Sequence, residues 1–116
     1  MEFENNQSIY LQIADSISEK IVNGRYKPDE KIPSVREMAS QMGVNPNTIM
    51  RTFSELQAKG IIENKRGIGY FVSEEAPAKI KEEKKEVFFK KILPEFIRQA
   101  SLLGVTSEEL KSHLDI

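Results

Sequence analysis

Cysteine is absent from the 116-residue chain. That removes disulfide frameworks, cysteine-ligated zinc and thiol catalysis together, and it fits a reducing compartment. Histidine is almost absent. The single copy, His113, stands close to the C-terminus, where it reads as a solvent-exposed side chain and not as a base or ligand. No apolar run approaches the roughly 20 residues of a membrane span. The opening MEFENNQS is polar and acidic, the wrong chemistry for a secretory signal. No glycine-rich phosphate loop precedes a helix. Carboxylates are plentiful but alternate with lysines, as on solvated helix faces. The expectation is a cytoplasmic protein, with no membrane segment, that is not an enzyme and carries no cofactor or metal. Net charge is scarce too, at −1 with a pI near 5.9. Any surface for nucleic acid must therefore be local.

What is present is helical periodicity with clear punctuation. Ile9, Ile13, Ile17 and Ile21 repeat every four residues, with Tyr10, Ala14 and Val22 widening the stripe, so Ser8 to Asn23 reads as an amphipathic helix closed by Gly24. Arg25 to Pro33 reads as a loop, because two prolines forbid a helix. Ser34 and Glu37 have capping-box spacing. A short helix follows with Val35, Met38, Ala39 and Met42 on its apolar face, ended by Gly43. Asn45 is a favoured N-cap and Pro46 suits the first helical position. Ile49, Met50, Phe53, Leu56 and Ala58 are expected to supply the next apolar face, so Met50 is assigned to the core with Met38, Met42 and Phe53. GVNPN is thus a tight joint between two helices.

Beyond Gly60 the period changes to two β-type runs, Ile61 to Lys65 and Tyr70 to Val72, around Arg66-Gly67-Ile68-Gly69, which reads as a hairpin tip. Ser73 to Pro77 reads as a polar linker. Ala78 to Gly104 is a long helical tract that Pro94 should kink or divide, and Thr106 with Glu109 opens a last helix. The fold class is mostly α, an α+β winged helix-turn-helix over 1–75 with a C-terminal helical dimerisation appendage over 76–116.

The order of elements places candidate DNA contacts. Short polar side chains on the leading turn of the second motif helix, Asn45, Asn47 and Thr48, have the reach for base edges or phosphates, and Arg51 lies one turn on. Ser34 and Arg36 open the preceding helix and suit the backbone. Lys65 and Arg66 precede Gly67 and Gly69 in the wing. Between Lys31 and Arg66 there are six basic residues against three acidic ones, a positive span in a negative chain. Plainer roles exist for each: capping for Asn47 and Thr48, an ion pair with a nearby glutamate for Arg36, ordinary hairpin charge for Lys65 and Arg66. Phe88, Phe89, Ile92, Phe96 and Ile97 put aromatics on more than one helix face, which a small monomer cannot easily bury; a homodimer interface is the expected use.

The stretches IYLQIADSISEKIVNGRYKPDEKIPS and IPSVREMASQMGVNPNTIMRTFSELQAKGIIENKRGIGYFV resemble the DNA-binding domain of GntR-family bacterial transcription regulators. The Tyr-x-Gln-Ile start, the Pro-Ser-x-Arg opening, the Gly-Val-Asn-Pro-Asn-Thr turn and the Gly-x-Gly-x-Phe-Val wing carry the likeness. The Asn-Pro-Asn-Thr turn and a tail of about forty residues resemble the short YtrA-like subfamily. The resemblance implies a repressor that binds a palindromic double-stranded DNA operator as a homodimer. It leaves open whether a small-molecule effector, of unknown identity, also binds. Two positions depart from the family pattern: Asp29 where glycine is usual after the loop proline, and Pro46 where many members have arginine. The competing reading is a winged-helix adaptor that binds protein and no DNA.

Overall fold

The computed structural model describes residues 7–116. The first six residues, part of the segment read above as lacking a secretory signal, lie outside that range. The elements run α1 (Ile9–Val22), α2 (Val35–Met42), α3 (Pro46–Ala58), β1 (Ile62–Lys65), β2 (Gly69–Val72), α4 (Ala76–Val87), a π-helical turn (Phe88–Ile92), α5 (Leu93–Leu103) and α6 (Ser107–Leu114). Two compact units divide between Lys81 and Glu82, inside α4.

In the first unit, Ile13, Ile17 and Ile21 of α1 face Met38 and Ala39 of α2 and Ile49, Phe53 and Leu56 of α3 in one core. The helices stop and start where the local chemistry directs. Glu37 N–H donates to Ser34 Oγ and Ser34 N–H to Glu37 Oε1, both at 3.1 Å, so the capping box is formed. Gly43 ends α2 in the left-handed region at φ 67°. Asn45 Oδ1 accepts from Asn47 N–H at 2.8 Å, and Pro46 begins α3 without wasting a donor.

The hairpin pairs Ile62 with Val72 and Lys65 with Gly69, antiparallel. The proline-rich loop is more ordered than its prolines imply. Asp29 N–H donates to Val72 O at 2.8 Å, Val72 N–H to Glu30 O at 3.0 Å, and Ile32 N–H to Tyr70 O at 2.9 Å. The loop therefore lies along β2 as a third edge and pairs the outward Tyr70 and Val72 carbonyls and the Val72 N–H. Asp29 has φ 64°. It keeps the left-handed backbone that glycine takes most easily, which an aspartate tolerates better than most residues.

Two expectations need correction. Met50 is not core: it is 56% exposed. Each residue turns about 100° along a helix, so Ile49, Phe53 and Leu56 share the buried line while Met50 lies well off it. Ala58 is exposed for the same reason. Nor is Ser73 to Pro77 a solvated linker. Ser73 is buried, α4 already starts at Ala76, and Ala76 and Ile80 join the core of the first unit. Polar composition hid this because only every third or fourth residue of the segment points inward.

In the second unit, Leu93 N–H donates to Phe88 O across a five-residue step. This wider turn lies just before Pro94, which opens α5. Proline has no N–H and crowds the carbonyl four residues back, and a π turn is one way a helical tract accommodates it. α6 begins with its own capping box, Glu109 N–H to Thr106 Oγ1 at 3.2 Å and Thr106 N–H to Glu109 Oε1 at 3.0 Å. No described helix is long and apolar enough to cross a membrane.

Candidate nucleic-acid interface

α3 is held rigidly from behind. The Thr52 hydroxyl, fully buried, lies 2.9 Å from Tyr10 O in α1 and 3.0 Å from Thr48 O in its own helix. The Phe53 ring meets Tyr70 of β2 edge-on at 4.7 Å between centroids. One contact fixes α3 against α1, the other fixes the wing against α3. Element-to-element contacts of this kind keep the relative placement of a reading helix and its wing independent of loop motion.

The opposite side of α3 is bare. Asn47, Met50, Arg51 and Ser54 are exposed along one face, spaced three or four residues apart. Asn45 and Pro46 are exposed at its leading end, and Thr48 is half-buried. The N-cap is supplied by Asn45, so Asn47 and Thr48 are not consumed as caps. Asn45 uses its carbonyl oxygen for the cap and keeps its amide nitrogen. Ser34 accepts from the Glu37 N–H through its hydroxyl oxygen, and the same hydroxyl supports the Glu37 carboxylate.

The basic residues divide into two kinds. Arg36 and Arg66 are exposed and form no ion pair with the described residues. The ion-pair role considered for Arg36 thus has no partner among the described glutamates. Arg51 and Lys65 rest on aromatic faces: the Arg51 guanidinium lies 4.2 Å from the Tyr10 ring centroid and the Lys65 ammonium 4.2 Å from that of Phe71. Both keep their charge at the surface while ring faces orient the stems.

The wing tip spans Arg66 to Ile68, with Ile68 N–H donating to Lys65 O at 2.9 Å. Gly67 has φ 78° and nothing within 4 Å of where a Cβ would stand, so its requirement is conformational and its outer side is open. Gly69 has φ 141°, and a Cβ there would meet Lys31 Cε at 2.7 Å. The Lys31 end is flexible, so backbone strain and not crowding makes glycine the fit at that position. Glu37 is the one described side chain near this face with a resolved titration shift. The Ser34 backbone N–H and hydroxyl hold its carboxyl below the usual glutamate range, with Lys31 adding attraction. Among the described residues no cluster of histidine and carboxylate groups suited to a metal ion occurs.

Three helices, a tight turn before the third, and a two-stranded ribbon behind it make a winged helix-turn-helix. Residues 9–72 match the family described as bacterial regulatory proteins, gntR family. The chain belongs to that family, one of transcription regulators and not of enzymes. It is 46% identical over 109 residues to the uncharacterised HTH-type transcriptional regulator YhcF of Bacillus subtilis (strain 168), covering 94% of this chain and 88% of that one. It is 40% identical over 102 residues to the HTH-type transcriptional repressor YtrA of the same organism, covering 88% and 78%. Among solved structures, a GntR family transcriptional regulator from Listeria monocytogenes superimposes with a TM-score of 0.78 at 34% identity, over 97% of each chain. The AraR DNA-binding domain, solved in complex with operator ORR3, superimposes with a TM-score of 0.57 at 33% identity, over 63% of this chain and 88% of that one.

Proposed function

We propose that the protein is a cytoplasmic transcriptional repressor that occupies a palindromic DNA operator as a homodimer. Residues 1–75 bind the duplex and the dimer forms within residues 76–116, beyond the stretch 76–81 that completes the core of the first unit. The observation that carries the reading is the leading turn of α3: Asn45 and Asn47 are exposed and Thr48 half-buried, its cap is supplied from within, and its back is fastened to α1 and the wing. AraR, a relative, was solved on operator DNA, and YtrA is named a repressor.

In this reading Asn45, Asn47, Thr48 and Arg51 reach the major groove. Ser34 and Arg36 contact the phosphate backbone ahead of them. Lys65 and Arg66 bring the wing to the duplex, with Gly67 and Gly69 allowing its close approach. Phe88, Phe89, Ile92, Phe96 and Ile97 form the dimer face. Support for the dimer comes from the second unit, where α5 and α6 bury none of their residues.

Selection of bound duplexes from a random pool tests the proposal; two inverted half-sites are expected. On the selected site, Arg36→Ala should weaken binding to all DNA and reduce the slope of log affinity against log salt by about one. Asn47→Ala and Arg51→Ala should cost about 1–3 kcal/mol on the selected site alone. An adaptor without DNA binding would select nothing. Unchanged affinity in all three variants would refute the residue assignments.

A further inference from the structure

A large apolar side chain stands in the middle of the polar reading face. Met50 is 56% exposed, three residues beyond Asn47 and four before Ser54 on the same side of α3. The core does not use it, since Ile49, Thr52, Phe53 and Leu56 fill the buried side. Its face is otherwise made of side chains that donate or accept hydrogen bonds. We propose that Met50 is a specificity-determining residue that packs against the C5-methyl group of a thymine in the operator. The inference rests on the reading of α3 as the helix presented to DNA.

The chemistry is selective. The edges of the base pairs in the major groove are donors and acceptors, with one apolar exception, the thymine methyl. A thioether accepts hydrogen bonds only weakly and donates none. Set against a cytosine amino group or a guanine carbonyl, it would strip water from a polar atom and return no hydrogen bond. Set against a methyl, it covers apolar surface on both partners. Its unbranched, polarizable chain adapts to small changes in groove geometry, which a β-branched side chain cannot do. Asn47 and Arg51 flank it and supply the directional contacts, so Met50 adds discrimination at a base step they leave unread.

The test uses the full-length protein and the duplex selected as above, with each thymine replaced singly by uracil, which deletes only the methyl. Wild type should lose about four-fold in affinity per half-site at one symmetric position, the ordinary worth of one buried methyl. Met50→Ala should bind the parent duplex with a similar loss and be indifferent to uracil at that position alone. Met50→Leu should keep the preference for thymine. All three proteins should unfold at the same temperature, because the side chain is outside the core. Wild type indifferent to uracil everywhere, or Met50→Ala retaining the full uracil penalty, overturns the inference while leaving the operator reading intact. Failure to select any duplex overturns that reading and this inference with it.

Discussion

Ser73 shows how a single buried atom affects the whole unit. The residue follows β2, and its backbone N–H donates to Ile61 O at 2.9 Å. That bond pulls the side chain into the core beside α4, where its hydroxyl oxygen finds no partner among the described residues. A desolvated, unpaired hydroxyl is unfavourable, whereas a methyl of similar size is not. Ser73→Ala should therefore raise stability, by roughly 1 kcal/mol in denaturant unfolding. A destabilised variant would mean that the oxygen has a partner in solution, a buried water for example. Met50 and Ser73 err in opposite directions: an apolar side chain lies outside and a polar one inside. Neither is visible from residue type, because each is placed by its neighbours. The phase set by Ile49, Phe53 and Leu56 turns Met50 outward.

At the scale of elements the sequence was more legible where a cap or a joint carries its own hydrogen bonds. Both capping boxes, the Asn45 cap and the left-handed glycine after α2 follow from four or five adjacent residues. The same holds for the exposed polar face of α3, since its period is local. The edge formed by Asp29 to Ile32 was not legible, because its partner is β2, some forty residues away. The start of α4 was missed for a related reason: Ala76 and Ile80 are too sparse to form a stripe and are defined by the core that receives them. The capping box of α2 also makes a pH prediction. The folded chain holds Glu37 ionised more readily than the unfolded chain does. A depressed carboxyl contributes stability that is complete above the unfolded value of about 4.3 and fades as pH falls through the lower folded value. The difference in unfolding midpoint between wild type and Glu37→Gln should therefore be constant above about pH 5 and narrow below it. A difference that holds unchanged down to pH 3 would show that the charge contributes nothing.

At the scale of the whole molecule, the two units have opposite relations to water. The first has a closed core. The second, from Glu82 onward, buries none of the residues in its π turn, α5 or α6. Among the described residues, ten of the fourteen large apolar side chains that are exposed lie at or beyond Val87. Phe88, Ile92, Leu93, Phe96 and Leu114 line an apolar groove of about 330 Å³. A stretch of fewer than about 40 residues rarely sustains a core alone, and contiguous apolar surface of this kind marks an interface. Under the proposed dimer, the partner copy covers this face, and each protomer holds the other's reading helix close to the second half-site. That proximity is worth an effective concentration in the millimolar range. Phe96→Glu and Phe89→Glu each place a carboxylate where the partner would exclude water, a cost that association cannot recover. Both variants should sediment as monomers at concentrations where wild type is a dimer. Their operator affinity should fall by at least ten-fold, while the affinity for an isolated half-site stays unchanged. Dimers that persist in both variants would move the subunit contact elsewhere. Monomers that still bind the full operator as tightly as wild type would separate dimerisation from recognition and leave the first unit reading its site alone.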